Sequence, residues 1–150
     1  MDWIMRVVIA GSRVLDHREP RFLVLLNGLV ERFENDYSAI TEVVCGMSKG
    51  PDKVGEQWAI QNRIPIARFF PDWKNYGKSA GPIRNQQMGD YADGGIIMWD
   101  GKSSGSKHMV SVLRKQNKPF ILDIIEPTVY YDHEPTGKIR CGFHNPKDYK

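Results

Sequence analysis

Short apolar runs stopped by glycine alternate along the chain with segments whose apolar positions recur at helical spacing. Residues 4–10 are apolar except for Arg6 and end at Gly11-Ser12-Arg13, the pattern of a strand buried on both faces. Asp16-His17-Arg18-Glu19 followed by Pro20 reads as a capping box that opens a helix. Phe22, Leu26, Leu29, Val30 and Phe33 give that helix one apolar face, and Glu34-Asn35-Asp36 ends it. Residues 40–45 make a second strand, stopped at Gly46. A helix to Asn62 follows, with Val54 and Trp58 one turn apart. A third strand over 64–70 leads into a long connection, 71–78, and then a helix opening near Gly81-Pro82. Residues 95–99 are a fourth strand, 100–106 a polar loop, and Met109, Val112 and Leu113 mark a further helix. Lys118-Pro119 turns the chain into a fifth strand over 120–125.

Strands that alternate with helices predict a parallel sheet covered on both faces. The fold class expected is α/β, a Rossmann-like three-layer sandwich with a mainly parallel sheet of about five strands. Right-handed crossovers place every strand-to-helix loop at one edge of such a sheet. Gly11, Gly46 and Gly101 each follow an apolar strand, so their loops should meet along one rim. Residues 1–126 form the predicted Rossmann-like domain. Residues 127–150 break the alternation. Val129-Tyr130-Tyr131, a turn at Glu134-Pro135-Thr136-Gly137 and residues 138–143 suggest a small C-terminal hairpin within the same domain.

The chain has 150 residues, enough for one domain with a sizeable core. Its 21 Lys and Arg against 18 Asp and Glu leave a formal charge of +3. That suits an anionic small ligand but is too mild for a binder of duplex DNA. No apolar run approaches the roughly 18–20 residues of a membrane span, and residues 1–6 lack a secretory pattern. Cys45 and Cys141 are expected as free thiols in a reducing, cytoplasmic setting. His133, Cys141 and His144, with Asp132 nearby, fit no standard zinc spacing, so no metal is expected.

The candidate chemistry lies in the loops. In the first, Gly11 permits close backbone approach, Ser12 offers a hydroxyl, and Arg13 can clasp a phosphate or carboxylate. The bland alternative is a tight turn with a surface arginine. Gly46-Met47-Ser48-Lys49-Gly50-Pro51-Asp52 flanks a serine and a lysine with glycines at a helix start, an arrangement suited to anions. It lacks the Gly-Lys-Ser/Thr ending of a P-loop. Asp52 can serve ribose hydroxyls or simply favour the helix N-terminus. Arg84 and Asn85 fall in the first turn of their helix, where an arginine opposes the helix dipole unless an anion sits beside it. Asp100-Gly101-Lys102-Ser103-Ser104-Gly105-Ser106-Lys107 offers a second phosphate cradle or a plain flexible loop. His108 reads as packing or surface. Trp73, Tyr76 and Trp99 can stack on a base or pack in a core or lid.

Taken together, Gly11-Ser12-Arg13, Gly50-Pro51-Asp52, Gly81-Pro82-Ile83-Arg84-Asn85-Gln86-Gln87-Met88 and Trp99-Asp100-Gly101-Lys102-Ser103-Ser104-Gly105 resemble the SLOG superfamily. The resemblance is to its YspA, or YpsA-related, branch of bacteria and their phages, and covers about residues 4–125. It implies a Rossmann-like fold that binds nucleotides, NAD-derived molecules or nucleotide second messengers, often as a dimer or larger assembly. A more distant arm, the LOG phosphoribohydrolases, pairs an arginine in Arg-x-x-x-Met with a glutamate in Gly-Gly-x-Gly-Thr-x-x-Glu. Arg84 and Met88 match the first motif, and Gly105-Ser106 match the second loosely, but its glutamate position falls on Met109. Met47 also departs from relatives that carry a small residue there.

The expected function is therefore binding of a nucleotide-derived ligand, as sensor or sequestering protein, with no further cofactor required. Arg13, Ser48, Lys49, Arg84 and Lys107 would hold phosphates, and Asp52 or Asp100 a ribose. The alternative is a nucleotide N-glycosidase in which Glu56 or Asp100 replaces the missing glutamate and Arg84 orients the phosphate. A third reading, from the superfamily's DNA-processing arm, is single-stranded nucleic-acid binding, against which the weak net charge counts.

Overall fold

The computed structural model describes residues 3–127, together with the backbone of 129–133 and 139–143. Five strands form the main sheet: β1 (Arg6–Gly11), β2 (Glu42–Cys45), β3 (Ile66–Arg68), β4 (Gly94–Trp99) and β5 (Phe120–Ile124). Their order is β3-β2-β1-β4-β5 and every pairing is parallel. The helices are α1 (Pro20–Asp36), α2 (Pro51–Gln61), α3 (Trp73–Tyr76), α4 (Ala80–Tyr91) and α5 (Ser104–Lys115). Val129–His133 and Ile139–Phe143 pair antiparallel as β6 and β7, the expected hairpin strands. The turn expected at 134–137 and His144 lie outside the described residues, as do the side chains of His133 and Cys141.

Alternation along β1 builds the three layers. Val7 and Ile9 face a core shared with Phe22, Leu26 and Phe33 of α1 and with Val54 and Trp58 of α2. Val8 and Ala10 face the other way, toward Met88 of α4 and Met109, Val110, Val112 and Leu113 of α5. Successive strand residues point to opposite faces, so a strand covered on both sides must be apolar throughout. The buried run of Val7, Val8, Ile9 and Ala10 meets that demand.

From β1 to β3 the chain steps one way across the sheet, and from β1 to β5 it steps the other. The reversal opens a crevice beyond the carboxyl ends of β1 and β4, where sheets of this kind seat their ligands.

Some local expectations shift. Pro20 is the first residue of α1, but no side chain caps that helix. Asp16 instead accepts the Arg18 backbone N–H at 3.0 Å and pairs with the Arg18 guanidinium at 2.8 Å. Strong pairing two residues away diverts it from the capping role. The connection after β3 contains α3 and a 3-10 turn, Gly77–Ser79. Helix α4 begins at Ala80, so Arg84 stands in its second turn rather than its first.

Candidate functional site

Loops from both halves of the sheet reach the β1/β4 crevice, where a cleft of about 1130 Å³ opens. Arg13 comes from the β1 loop, Ser48 and Asp52 from the β2–α2 junction, and Arg84, Asn85 and Met88 from α4. Asp100, Lys102 and Ser103 through Ser106 come from the β4–α5 junction. Four basic side chains in the lining, Arg13, Lys78, Arg84 and Lys102, face two carboxylates, Asp52 and Asp100. The lining is net cationic.

One hydroxyl ties the halves together. Ser12 is buried; its Oγ donates to Asp100 Oδ1 at 3.0 Å and accepts the Asp100 backbone N–H at 2.9 Å. Ser103 Oγ lies 2.7 Å from it and Ser106 Oγ 3.4 Å. The same Asp100 oxygen accepts the N–H groups of Lys102 and Ser103 at 2.9 and 2.8 Å. Burial alone would raise the Asp100 carboxyl, but these donors outweigh it and hold the pKa below its ordinary value. Asp100 is thus an ionised turn-builder. Ser12→Ala would leave the half-buried Asp100 N–H without its acceptor, at a cost of about 1–3 kcal/mol. Thermal denaturation should show the variant melting several degrees below wild type; an unchanged melting temperature would deny the knot any structural weight.

Behind the knot two buried groups of opposite charge, Asp52 and Arg84, flank the backbone at Gly46. Asp52 is 4% exposed and Arg84 7%. Asp52 Oδ2 accepts the Ser48 N–H at 3.1 Å. Arg84 donates from Nη1 to the Gly46 carbonyl and from Nε to Asn85 Oδ1, the latter at 3.2 Å. A side chain at Gly46 would begin 2.9 Å from both Arg84 Nη1 and Asp52 Oδ2, so one or both would have to shift to admit it. Desolvation pushes Asp52 up to about 6, against the lowering pull of the Ser48 N–H, Arg84, the Gly11 N–H and Arg13. Desolvation also lowers Arg84, and Arg13 adds to that while Asp52 opposes it. A guanidinium nonetheless stays charged in any ordinary pH range.

Most of the expected site converges here. Gly11, Arg13, Ser48, Asp52, Arg84, Asn85, Asp100, Ser104, Gly105 and Ser106 all line the cleft. Ser12, Gly46 and Gly50 stand behind it as supports; Gly50 adopts φ of 77° and donates to His17 Nδ1 at 3.3 Å. Met47, Lys49, Gly101 and Lys107 are not among the lining residues. Met47 adopts φ of 63°, a conformation glycine accepts with less strain. Glu56 borders a separate depression with His17, Lys53 and Ile60, and lies 3.5 Å from Arg68. Trp99 directs its Nε1 to the Ser103 carbonyl at 2.9 Å, which fits packing rather than stacking. Lys78 joins the lining from the 3-10 turn and Pro127 from beyond β5, contributions that sequence spacing did not suggest.

Known proteins resemble the chain in sequence and in fold. Residues 5–76, from β1 through α3, match the YspA, cpYpsA-related SLOG family (YAcAr). The Gene 61 protein of Mycobacterium phage D29 is 31% identical over 122 residues, spanning 77% of this chain and 94% of the phage protein. The chain belongs to the YspA, cpYpsA-related SLOG family. Among solved structures, DNA processing protein A (DprA) from Streptococcus pneumoniae superposes with a TM-score of 0.58 at 16% identity. The match covers 80% of this SLOG chain but only 50% of DprA, and it speaks to the fold. Met109, on which the sequence places the glutamate position of the LOG motif, lines the cleft as a buried thioether. No helix among the described residues is long and apolar enough to cross a membrane.

Proposed function

We propose that the cleft binds a phosphate-bearing nucleotide derivative and that the protein acts as its sensor or sequestering partner. The observation that carries this is Arg84, a nearly buried guanidinium in the wall of the cleft. Two of its five N–H donors are engaged by described residues, at Gly46 and Asn85. Keeping a cation out of water is costly unless anions meet it. Asp52 supplies one, and a phosphate supplies the match for the remaining fork.

Helix α5 adds to the attraction. Ser104, Gly105 and Ser106 form its first turn at the cleft, where backbone N–H groups lack intrahelical acceptors and no acidic side chain intervenes. Arg13, Lys78 and Lys102 complete a cationic surround. The volume, about 1130 Å³, lies just above the roughly 300–1,000 Å³ typical of small-molecule sites. It has room for more than one phosphate, as in an NAD-derived or cyclic ligand.

A hydrolytic reading has one observation of its own. Asp52 is a cleft carboxyl whose pKa of about 6 suits proton transfer near neutrality. Met109, by contrast, can neither take nor give a proton.

Mass spectrometry of small molecules released from heat-denatured protein tests the proposal, with Arg84→Ala prepared alongside and its folding checked by circular dichroism. A nucleotide-type mass in the wild type that is lost in a folded Arg84→Ala supports binding through Arg84. Nucleotide retained undiminished by the variant would remove Arg84 from the site. Free base released from a nucleotide panel by the wild type, and not by Asp52→Asn, would select the hydrolase.

A further inference from the structure

Helix α3 exists without a core to serve. None of its residues is buried, and the whole stretch from Asp72 to Ser79 is exposed. Both ends are nevertheless fastened. Asp72 Oδ1 accepts the Asn75 N–H at 3.1 Å, its Oδ2 accepts Asn75 Nδ2 at 2.8 Å, and Gly77 turns the chain at φ of 51°. A fixed turn that buries nothing serves by what it displays.

What it displays at the cleft is an indole. Trp73 is 53% exposed and lines the cleft. Its Cη2 lies 3.9 Å from where a side chain at Gly81 would start. No ring among the described residues stacks with it. Gly81 and Arg84 are three residues apart on α4, hence on one face and separated by roughly 5 Å along the axis. The indole at Gly81 and the guanidinium at Arg84 therefore stand one helical turn apart on a common wall.

We propose that Trp73 is a base-stacking wall of the cleft, so that the ligand is a nucleotide bearing a planar base rather than a bare sugar phosphate. The inference rests on the phosphate reading of Arg84 given above. An indole face attracts any flat base without needing a particular hydrogen-bond pattern. Lys78, in the turn that follows α3 and also in the lining, supplies charge beside the stacked ring. Gly81, having no side chain, leaves the space beside the indole open.

Calorimetric titration with AMP, GMP, CMP, UMP and ribose 5-phosphate separates base from sugar phosphate. Wild type, Trp73→Ala and Trp73→Phe are compared, with size-exclusion chromatography of each. The wild type should prefer at least one mononucleotide over ribose 5-phosphate. Trp73→Ala should shrink that preference by roughly five- to hundredfold, leave ribose 5-phosphate affinity unchanged, and be largely rescued by Trp73→Phe. Equal loss for nucleotide and sugar phosphate, no loss, or no base preference in the wild type overturns the stacking role. So does a change of oligomeric state in Trp73→Ala without a change in base preference. A wild type that binds ribose 5-phosphate without base preference sinks the stacking role alone. One that binds none of the five sinks the phosphate reading and the stacking role together.

Discussion

Gly11→Ala is expected to yield little or no folded protein. The new methyl would sit 1.9 Å from the Met98 carbonyl oxygen, 2.9 Å from its carbon and 2.6 Å from Pro51 Cγ. Gly11 pairs with Met98 in the parallel ladder between β1 and β4, so the oxygen cannot move without opening the sheet. Overpacking commonly costs about 1–3 kcal/mol where side chains can yield. Here the obstacles are backbone and a proline ring, and the penalty should exceed that range, a large fraction of the stability of an ordinary domain. Gly28→Ala is the matched control. Gly28 is exposed within α1, with nothing within 4 Å of the added carbon, so the change should stabilise by about 0.5–1 kcal/mol. Urea denaturation of both variants checks the pair. Comparable midpoints would mean that β1 and β4 tolerate separation at the rim.

The second large effect is a dependence on pH that runs against the usual direction for a carboxyl. Asp52 moves from 3.8 to about 6 on folding, chiefly through burial. Between those values the folded chain holds a proton that the unfolded chain has released. Stability therefore falls as pH rises through this window, by about 3 kcal/mol if the displacement is fully expressed. Asp16, Asp93 and Asp100 are all lowered and tilt stability the other way as acid is added. The Asp52 contribution is accordingly read as a difference. Asp52→Asn should gain on the wild type from pH 4 to about pH 6 and level off above it in chemical denaturation. Parallel curves for the two proteins would contradict a raised Asp52 pKa.

Much of the architecture was legible because its signals are local. Val7 to Ala10 must be apolar wherever a strand is covered on both faces, and Phe22, Leu26, Leu29, Val30 and Phe33 fall on one side of α1 at helical spacing. Pro51 opens α2 at the first position, as its fixed φ and missing N–H favour. Arg84 drew notice as a cation on the wrong end of a helix. The structure moves it one turn inward and buries it beside Asp52.

Other features had no local signature. Four residues of α3 are too few to show a helical period. The tie from Ser12 to Asp100 spans 88 positions in sequence, and no neighbouring residue announces it. Lys78 reaches the cleft only because the chain folds the turn after α3 onto its rim. Asp16 turns to Arg18 rather than capping α1, a choice between nearby donors that a single sequence does not reveal.

The Ser12 knot has a consequence for selectivity. With β1, β4 and α5 laced through one hydroxyl, this end of the crevice should keep its shape without a guest. Association then freezes few additional torsions there, and little conformational entropy is forfeited. The discrimination that results is one of stiffness. On the proposed reading, a guest whose charged group demands a wider gap would be turned away by a frame that does not yield.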